Sequence, residues 1–494
     1  MISHNSLALA LLAICSSVSA ADKSLFTRGP YPQLATSTGI TIVWRTRAVM
    51  LPELRIGTTP GELTSSGSFE HFTARRTILD GPSSSASSPL HSAPSGTTQF
   101  EAPVTGLKPG TRYYYGIYDN GKLLTPDDDS CTFTTLPDPG TSAPVTFWVV
   151  GDSGTATASQ KAVHSAFKQW RARTKSNVDF YVHVGDMAYT KGLDSEFQFS
   201  FFDIYGETLR GLTCWPCIGN HEGGTAKGAT GTGPYFDAYI SPKNAEAGGT
   251  PSGTESYYSW DFGKTHFIAL NSHDMSRKPG GQMAQWLKAD LEKANADWII
   301  AYWHHPPYTK TSHDSDKEKD LREMRENIMP IIESGGVDLV LTGHSHAYER
   351  SFLLDGAYTT PTVSENAVLD DRSGDPKGTG PYRKRPGTLP NEGTLQIVAG
   401  HGGQALSRKE RPHPVMRRTI VEWGSVIVEV KGDTLTAAML NADGKVRDTV
   451  QIKKDAKSAP LRIARPKAPE PPEGPLKLKT YVPAGQTLVE PASP

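Results

Sequence analysis

Phe180-Tyr181-Val182-His183-Val184-Gly185-Asp186-Met187-Ala188-Tyr189 is the stretch that decides the fold. Its first five residues run apolar around a single histidine, the pattern of a parallel strand buried on both faces. Gly185 lets the backbone turn sharply where the strand ends. Asp186 therefore stands at a strand's carboxyl end, where open α/β sheets hold their ligands. Four more runs end in the same way. Residues 145–150 lead into Gly151-Asp152-Ser153-Gly154, and 215–218 into Gly219-Asn220-His221-Glu222. Residues 298–303 lead into His304-His305-Pro306-Pro307-Tyr308, and 337–341 into Gly343-His344-Ser345-His346. Two carboxylates, an amide and several imidazoles thus converge on one edge of one sheet, which is the composition of a metal site.

Working outward, strands alternate with helical patterns. Residues 159–173 carry Val163, Ala166, Phe167 and Trp170 on one stripe, and 282–294 carry Met283, Trp286, Leu287 and Leu291. Residues 317–334 form a third helix of this kind despite Pro330. All three stripes read as core packing against the sheet. Residues 258–262 and 266–270 pair as a hairpin around Gly263-Lys264; 395–399 and 425–430 return as strands, and 434–450 closes as a hairpin. This mixture predicts an α/β core with mixed sheets over 144–453. Inside it, 355–392 has no periodicity and is rich in Gly, Pro and charge, the pattern of a functional lid or a disordered segment. His183 and His164 read as packed histidines, not ligands.

Upstream, residues 25–136 show short alternating strands: Ile40, Ile42 and Trp44 share one face, and Pro109-Gly110 turns into the aromatic strand Tyr113-Tyr114-Tyr115. The pattern resembles a fibronectin type III-like all-β sandwich, assigned to 22–138, and carries no chemistry of its own. The Ser/Pro-rich stretch 81–96 reads as a mobile loop, and 454–494 as a Pro/Lys-rich disordered tail.

With Lys+Arg 51 against Asp+Glu 52, the balance of charge argues against a polyanion-binding surface over the whole molecule, hence no nucleic-acid partner. Residues 1–20 read as an export signal: 7–14 is apolar but too short to span a membrane, and Val18-Ser19-Ala20 is a small-residue cleavage site. The competing readings are an uncleaved anchor and a lipoprotein at Cys15. The expectation is a secreted or periplasmic protein with no membrane attachment after cleavage. Cys131, Cys214 and Cys217 remain; Cys214 and Cys217 are either a small disulfide staple or two free thiols. Oligomeric state is left open.

The five strand-end motifs, in this order, resemble the metallophosphoesterase superfamily and, within it, the purple acid phosphatases, which join a fibronectin-like domain to a catalytic αββα sandwich. The resemblance covers 25–450. It implies two metal ions: Asp152, Tyr189 and His346 on the first, Asn220, His304 and His344 on the second, and Asp186 bridging both. It implies that His221 and His313 contact the substrate phosphate or leaving group. Three departures stand out. Ala301 begins the fourth motif where the family has Val; Asp314 stands where some plant relatives have a second histidine; and Gly154 occupies the place of the Asp-x-His histidine common in the superfamily. Tyr189 restores the ligand count, and its phenolate suits a hard trivalent ion, so Fe³⁺ is expected at the first site and Fe²⁺, Zn²⁺ or Mn²⁺ at the second.

The function so implied is hydrolysis of small phosphomonoesters by attack of a metal-bound hydroxide, with His221 stabilising charge and His313 protonating the leaving oxygen. Alternatives are a phosphodiesterase or nucleotide pyrophosphatase using the same site, and a binding module with a vestigial one. His401, in Ala399-Gly400-His401-Gly402-Gly403, is either a turn residue with its ring in solvent or a residue of the pocket rim opposite His313 that helps choose the ester's organic group.

Overall fold

The computed structural model describes residues 25–455 except 48–49, 51, 64–74, 80–92, 94–95, 409–410 and 412. The export segment, the tail beyond 455 and nearly all of the 81–96 stretch lie outside the described residues.

The N-terminal unit is a sandwich of two sheets. One has the strand order Phe26–Gln33, Ile40–Thr46, Thr97–Val104, Arg75–Leu79. In the other, Pro52–Gly57, Lys122–Leu123 and Thr132–Thr134 all pair with the aromatic strand Arg112–Asp119. Ile40, Ile42 and Trp44 point together into the space between the sheets, as their alternation predicts, and meet Leu54, Ile56, Tyr113 and Tyr115. Trp44 stacks on Phe100 at 5.2 Å.

In the second unit the strand ends do not lie on one sheet; they come from two sheets packed face to face. The first sheet runs Cys214–Pro216, Phe180–His183, Val145–Val150, Gly424–Lys431, Thr434–Asn441, Val446–Lys454 and Tyr382–Lys384. The second runs Tyr258–Phe262, Thr265–Ala269, Trp298–Tyr302, Leu339–Thr342, Thr394–Ala399, Tyr348–Leu354 and Val368–Asp370, with Met416–Ile420 on Tyr348–Leu354. Alternate residues of each strand face inward. Phe147, Phe180, Trp215, Trp260, Phe267 and Tyr302 fill the space between the sheets, where Phe147 meets Phe267 edge-on at 5.4 Å. The other parity faces helices. Trp148, Val150 and Tyr181 lie with Val163 and Phe167 of the helix Ala158–Thr174. Ile299, Ala301 and Val340 lie with Met283 and Leu287 of Gln282–Lys293. The result is four layers, αββα.

Three features depart from the sequence reading. The third helix is broken in the middle. A π-helical turn, Met324–Ile328, separates Lys319–Glu323 from Met329–Ser334, because Pro330 brings no N–H and crowds the preceding turn. The helical segment from Asp194 to Leu209 was not expected, since Phe197, Phe199 and Phe201 alternate with period two. The 355–392 insertion is not disordered: Val368–Asp370 adds to one sheet and Tyr382–Lys384 to the other. Lys384 and Lys454 both reach the buried Asp338, at 2.5 and 2.8 Å. Cys131, Cys214 and Cys217 are free buried thiols, so the staple does not form.

His266 is held between Asp261 (2.7 Å) and Asp290 (2.9 Å), with Ser259 also donating to Asp290. Burial lowers its basicity, but the two carboxylates win and push it up to about 9. A raised histidine contributes stability fully below its unfolded pKa of about 6.5 and loses it as pH rises through the folded value. The urea midpoint of the wild type should therefore exceed that of His266→Gln by most at pH 6. The gap should close as pH approaches 9; a gap that is constant with pH would contradict the assignment.

Candidate metal centre

At the common edge of the two sheets, Asp152 and Asp186 are buried to within 1% of full exclusion. Their turns are tight. Asp152, Asp186 and His344 all take left-handed backbone conformations, with φ of 55°, 60° and 65°. Such residues cost on the order of 1–3 kcal/mol each and persist where surrounding structure fixes them. Gly185 (φ 92°) could not carry a side chain, since a Cβ there would stand 2.5 Å from His304 Nδ1.

Two clusters of donor atoms share one oxygen. In the first, the Tyr189 hydroxyl lies 3.1 Å from Asp186 Oδ2 and 3.3 Å from Asp152 Oδ1, and His346 Nε2 lies 3.6 Å from Asp152 Oδ1. In the second, Asn220 Oδ1 is 2.9 Å from both His304 Nε2 and His344 Nδ1, which are 3.2 Å from each other, and Asp186 Oδ2 is 3.3 Å from His304 Nε2. Backbone partners orient the rings: His304 Nδ1 donates to Val184 O and His346 Nδ1 to Ala405 O, so both turn Nε2 inward. All seven residues expected as ligands are thus brought together, with Asp186 Oδ2 common to the two clusters.

The donor chemistry fits cations. Asn220 Oδ1, His304 Nε2 and His344 Nδ1 lie within 3.2 Å of one another, close enough to bind one cation together. Burial drives Asp152 well above the usual carboxylate range, with Asp186 adding to the rise. Against the same burial, His304 holds Asp186 below its usual value, and Asp186 in turn helps raise His304 to about 9. Burial lowers His344 to about 3. Buried carboxyls, imidazoles, a phenol and an amide oxygen gathered in this way are a donor set that would fit two cations.

Gly154 explains why tyrosine and not histidine completes the first cluster. A Cβ at 154 would lie 1.9 Å from Met187 O and 2.0 Å from Met187 C. Gly154 N donates to Asp186 O and Tyr189 N donates to Gly154 O, so the loop carrying Tyr189 lies directly on this glycine. The space that a side chain at 154 needs is the space that the Tyr189 loop uses.

His221 and His313 flank the clusters without joining them. His221 Nδ1 donates to Thr190 O at 2.7 Å, its Nε2 stands 3.8 Å from Asp186 Oδ2, and its ring packs on Tyr189. His313 stacks on His344 with centroids 3.8 Å apart and donates from Nδ1 to Glu318 Oε2 at 2.8 Å. Both side chains are nearly one-third exposed. His401 fits neither expectation. Its strand does lie beside Leu339–Thr342 and end at the metal edge. Its ring, however, points inward, fully buried against Tyr348, and burial lowers its pKa to about 3, so it lines no rim.

Two carboxylates escaped the sequence reading. Glu222 is fully buried; its Oε2 accepts from Asp186 N and Gly219 N, and its Oε1 from Met187 N and Ala188 N. It clamps the Asp186 loop to the Asn220 loop. It stands in the quoted Gly219-Asn220-His221-Glu222, but only its neighbours are donor types expected to face metal. Glu318, beside His313, is held well below the usual carboxylate range, hydrogen bonds from His313 and its surroundings outweighing partial burial.

A two-sheet sandwich with this donor set at its edge is the calcineurin-like phosphoesterase arrangement, and residues 145–348 match that family's model. Residues 30–135 match the purple acid phosphatase N-terminal domain. The chain belongs to the purple acid phosphatase family. Purple acid phosphatase 15 of Arabidopsis thaliana is 29% identical over 271 residues, 50% of this chain and 48% of that one. Purple acid phosphatase 21 of the same plant is 27% identical over 337 residues, 66% and 69% of the two chains. The match spans about half the length of the first of these. Among solved structures, a purple acid phosphatase from yellow lupin (Lupinus luteus) seeds superposes with a TM-score of 0.65 at 18% identity, over 87% of this chain and 75% of that one, which shows the fold.

The steric reading of Gly154 is testable. Gly154→Ala should lower the melting temperature, at a cost of about 1–3 kcal/mol for overpacking, and weaken metal uptake. Gly206→Ala, where a Cβ meets nothing within 4 Å, serves as control and should do neither. Unchanged stability and metal content in Gly154→Ala would refute the conflict with the Tyr189 loop.

Proposed function

We propose that the protein is a metal-dependent phosphatase that hydrolyses small phosphomonoesters. The observation that carries this reading is the sharing of Asp186 Oδ2 between two complete donor clusters. Family membership alone carries less, because one Arabidopsis relative, 28% identical over 286 residues, is named a probable inactive purple acid phosphatase. A vestigial site should lack members, and this one lacks none.

Asp152, Asp186, Tyr189 and His346 would hold the first cation, and Asp186, Asn220, His304 and His344 the second. The phenol of Tyr189 favours Fe³⁺ in the first; the amide and two imidazoles of the second accept Fe²⁺, Zn²⁺ or Mn²⁺. Such a pair supplies Lewis-acid charge for the phosphoryl oxygens and makes water acidic enough to ionise near neutrality. The chain's own groups do the rest. His221, held by Thr190 O, turns Nε2 toward the shared Asp186 oxygen and, protonated, donates to a phosphoryl oxygen as charge builds there. His313, partly exposed and stacked on His344 of the second cluster, delivers a proton to the leaving oxygen. Export remains part of this proposal, resting on residues 7–14 and Val18-Ser19-Ala20. Among the described residues no helix is long and apolar enough to cross a membrane.

Metal analysis with kinetics tests the reading. Asp186→Ala and Asn220→Ala should lose metal and activity together, and His313→Ala should keep both metals and lose kcat, most with poor leaving groups. If Tyr189 binds Fe³⁺, the protein should show a visible tyrosinate-to-iron band that Tyr189→Phe abolishes. A colourless, fully iron-loaded, active protein would overturn the iron assignment. Faster turnover of bis-nitrophenyl phosphate than of nitrophenyl phosphate would overturn the monoester preference.

A further inference from the structure

Glu318 belongs to neither donor cluster, yet both its oxygens are engaged at the pocket. Oε2 accepts from His313 Nδ1 at 2.8 Å, and Oε1 accepts from the backbone N–H of Asp314 at 2.8 Å. Glu318 itself caps the amino end of Lys319–Glu323, so its backbone is anchored where that helix begins. The carboxylate is therefore oriented by two bonds to the loop that carries His313. Its Oε2 also lies 3.8 Å from His344 Nε2, while His344 Nδ1 faces Asn220 and His304. One carboxylate thus touches the outward nitrogen of a metal-cluster histidine and the inner nitrogen of the histidine stacked upon it.

His313 stacks on His344 with centroids 3.8 Å apart, so one face of its ring is covered and the partner of Nδ1 decides where Nε2 points. The nearest carboxylate to the His313 ring is that of Glu318. Asp314, next in sequence, turns instead to Lys310 and Lys317.

We propose that Glu318 is a positioning residue that holds His313 with Nδ1–H toward itself and Nε2 toward the leaving oxygen of the ester. This rests on the phosphatase reading above. As the bond between phosphorus and the ester oxygen breaks, its electron pair stays on that oxygen, which takes the proton from His313 Nε2. The water oxygen forms the new bond to phosphorus; one of its protons stays on the phosphate product and the other passes to solvent, from which His313 is later reprotonated. The ring is left neutral, its remaining proton on Nδ1 and retained by Glu318. A base or acid oriented by a third group is a recurrent arrangement in enzymes, and here the third group also braces a metal-cluster ring.

The test compares wild type, His313→Ala, Glu318→Leu, Glu318→Gln and the double variant His313→Ala/Glu318→Leu, each as purified with its metals. Substrates are 4-nitrophenyl phosphate, with a good leaving group, and an alkyl phosphate, with a poor one. Glu318→Leu should lower kcat on the alkyl ester by about ten- to a hundredfold, part of the effect of general acid catalysis, with a much smaller loss on the nitrophenyl ester and little change in KM. Glu318→Gln, which keeps an acceptor, should lose less. The double variant should be no slower than His313→Ala, because the two residues act as one unit. Metal per chain should be the same in all five. Equal losses on both esters, additive losses in the double variant, or a third metal ion per wild-type chain that Glu318→Leu removes would each overturn the proposal. Absence of phosphatase activity in the wild type, or a His313→Ala variant insensitive to the leaving group, would instead overturn the reading beneath it.

Discussion

Two carboxylates buried a few ångströms apart are the constraint on which the rest of the structure depends. Asp152 and Asp186 stand at adjacent strand ends, and among the described residues their ion-pair partners are imidazoles. Carboxylates removed from water need compensation by charge and by hydrogen bonds, and here the backbone provides much of the second. His344 N donates to Asp152 Oδ2 and His221 N to Asp186 Oδ1. Those bonds fix which oxygens remain free, and the free ones are those that face Tyr189, His304 and His346. The left-handed turns at Asp152, Asp186 and His344 follow from the same requirement, because each must aim a side chain across the edge while its own backbone closes the strand end.

The exchange of a histidine at 154 for a tyrosine at 189 has a steric side as well as an electronic one. Laying the Asp186–Tyr189 loop on Gly154 brings the phenol within reach of both carboxylates and removes the volume that a ligand at 154 would occupy. The two alternatives exclude each other. A sequence with glycine at the first position must find its ligand on the opposing loop or go without, and Glu222, which accepts four N–H bonds from the two loops, holds that loop in register.

Much of this was legible in the sequence, for definite reasons. Strands covered on both faces appear as unbroken apolar runs, so the strands that carry the five motifs stood out, and Gly-Asp, Gly-Asn-His and Gly-His-Ser-His marked their ends. The assignment of these strands to two sheets was not legible. Phe147 and Phe267 both point into the same interior, and nothing in either run records which sheet it joins. The three-residue strands of the 355–392 insertion are too short to show a period. His401 was misplaced because a histidine between glycines at a strand end reads as exposed, whereas its ring turns back onto Tyr348. Glu318 was missed because its significance lies in what it touches, His313 five residues earlier and His344, while it stands in no strand-end motif itself.

Among the described residues the N-terminal sandwich brings no donor to either cluster, yet it bears on the site through one buried ion cluster. Arg28 and Arg45 share Asp194, at 3.0 and 2.5 Å, and Arg28 also reaches Gln198. Burial works against that carboxylate, and the two arginines hold it ionised below its usual range. Asp194 begins the helical segment that follows Tyr189, and two residues on, Glu196 accepts from the backbone of Thr190, Lys191 and Leu193. Thr190 O is in turn the acceptor that orients His221. The sandwich therefore secures the segment whose first turn fixes the backbone beside Tyr189 and His221. Removing one member of such a cluster leaves an uncompensated buried charge, so the contact between the two units is specific, not merely apolar. The N-terminal sandwich is tied by this cluster to the loop on which the proposed chemistry depends.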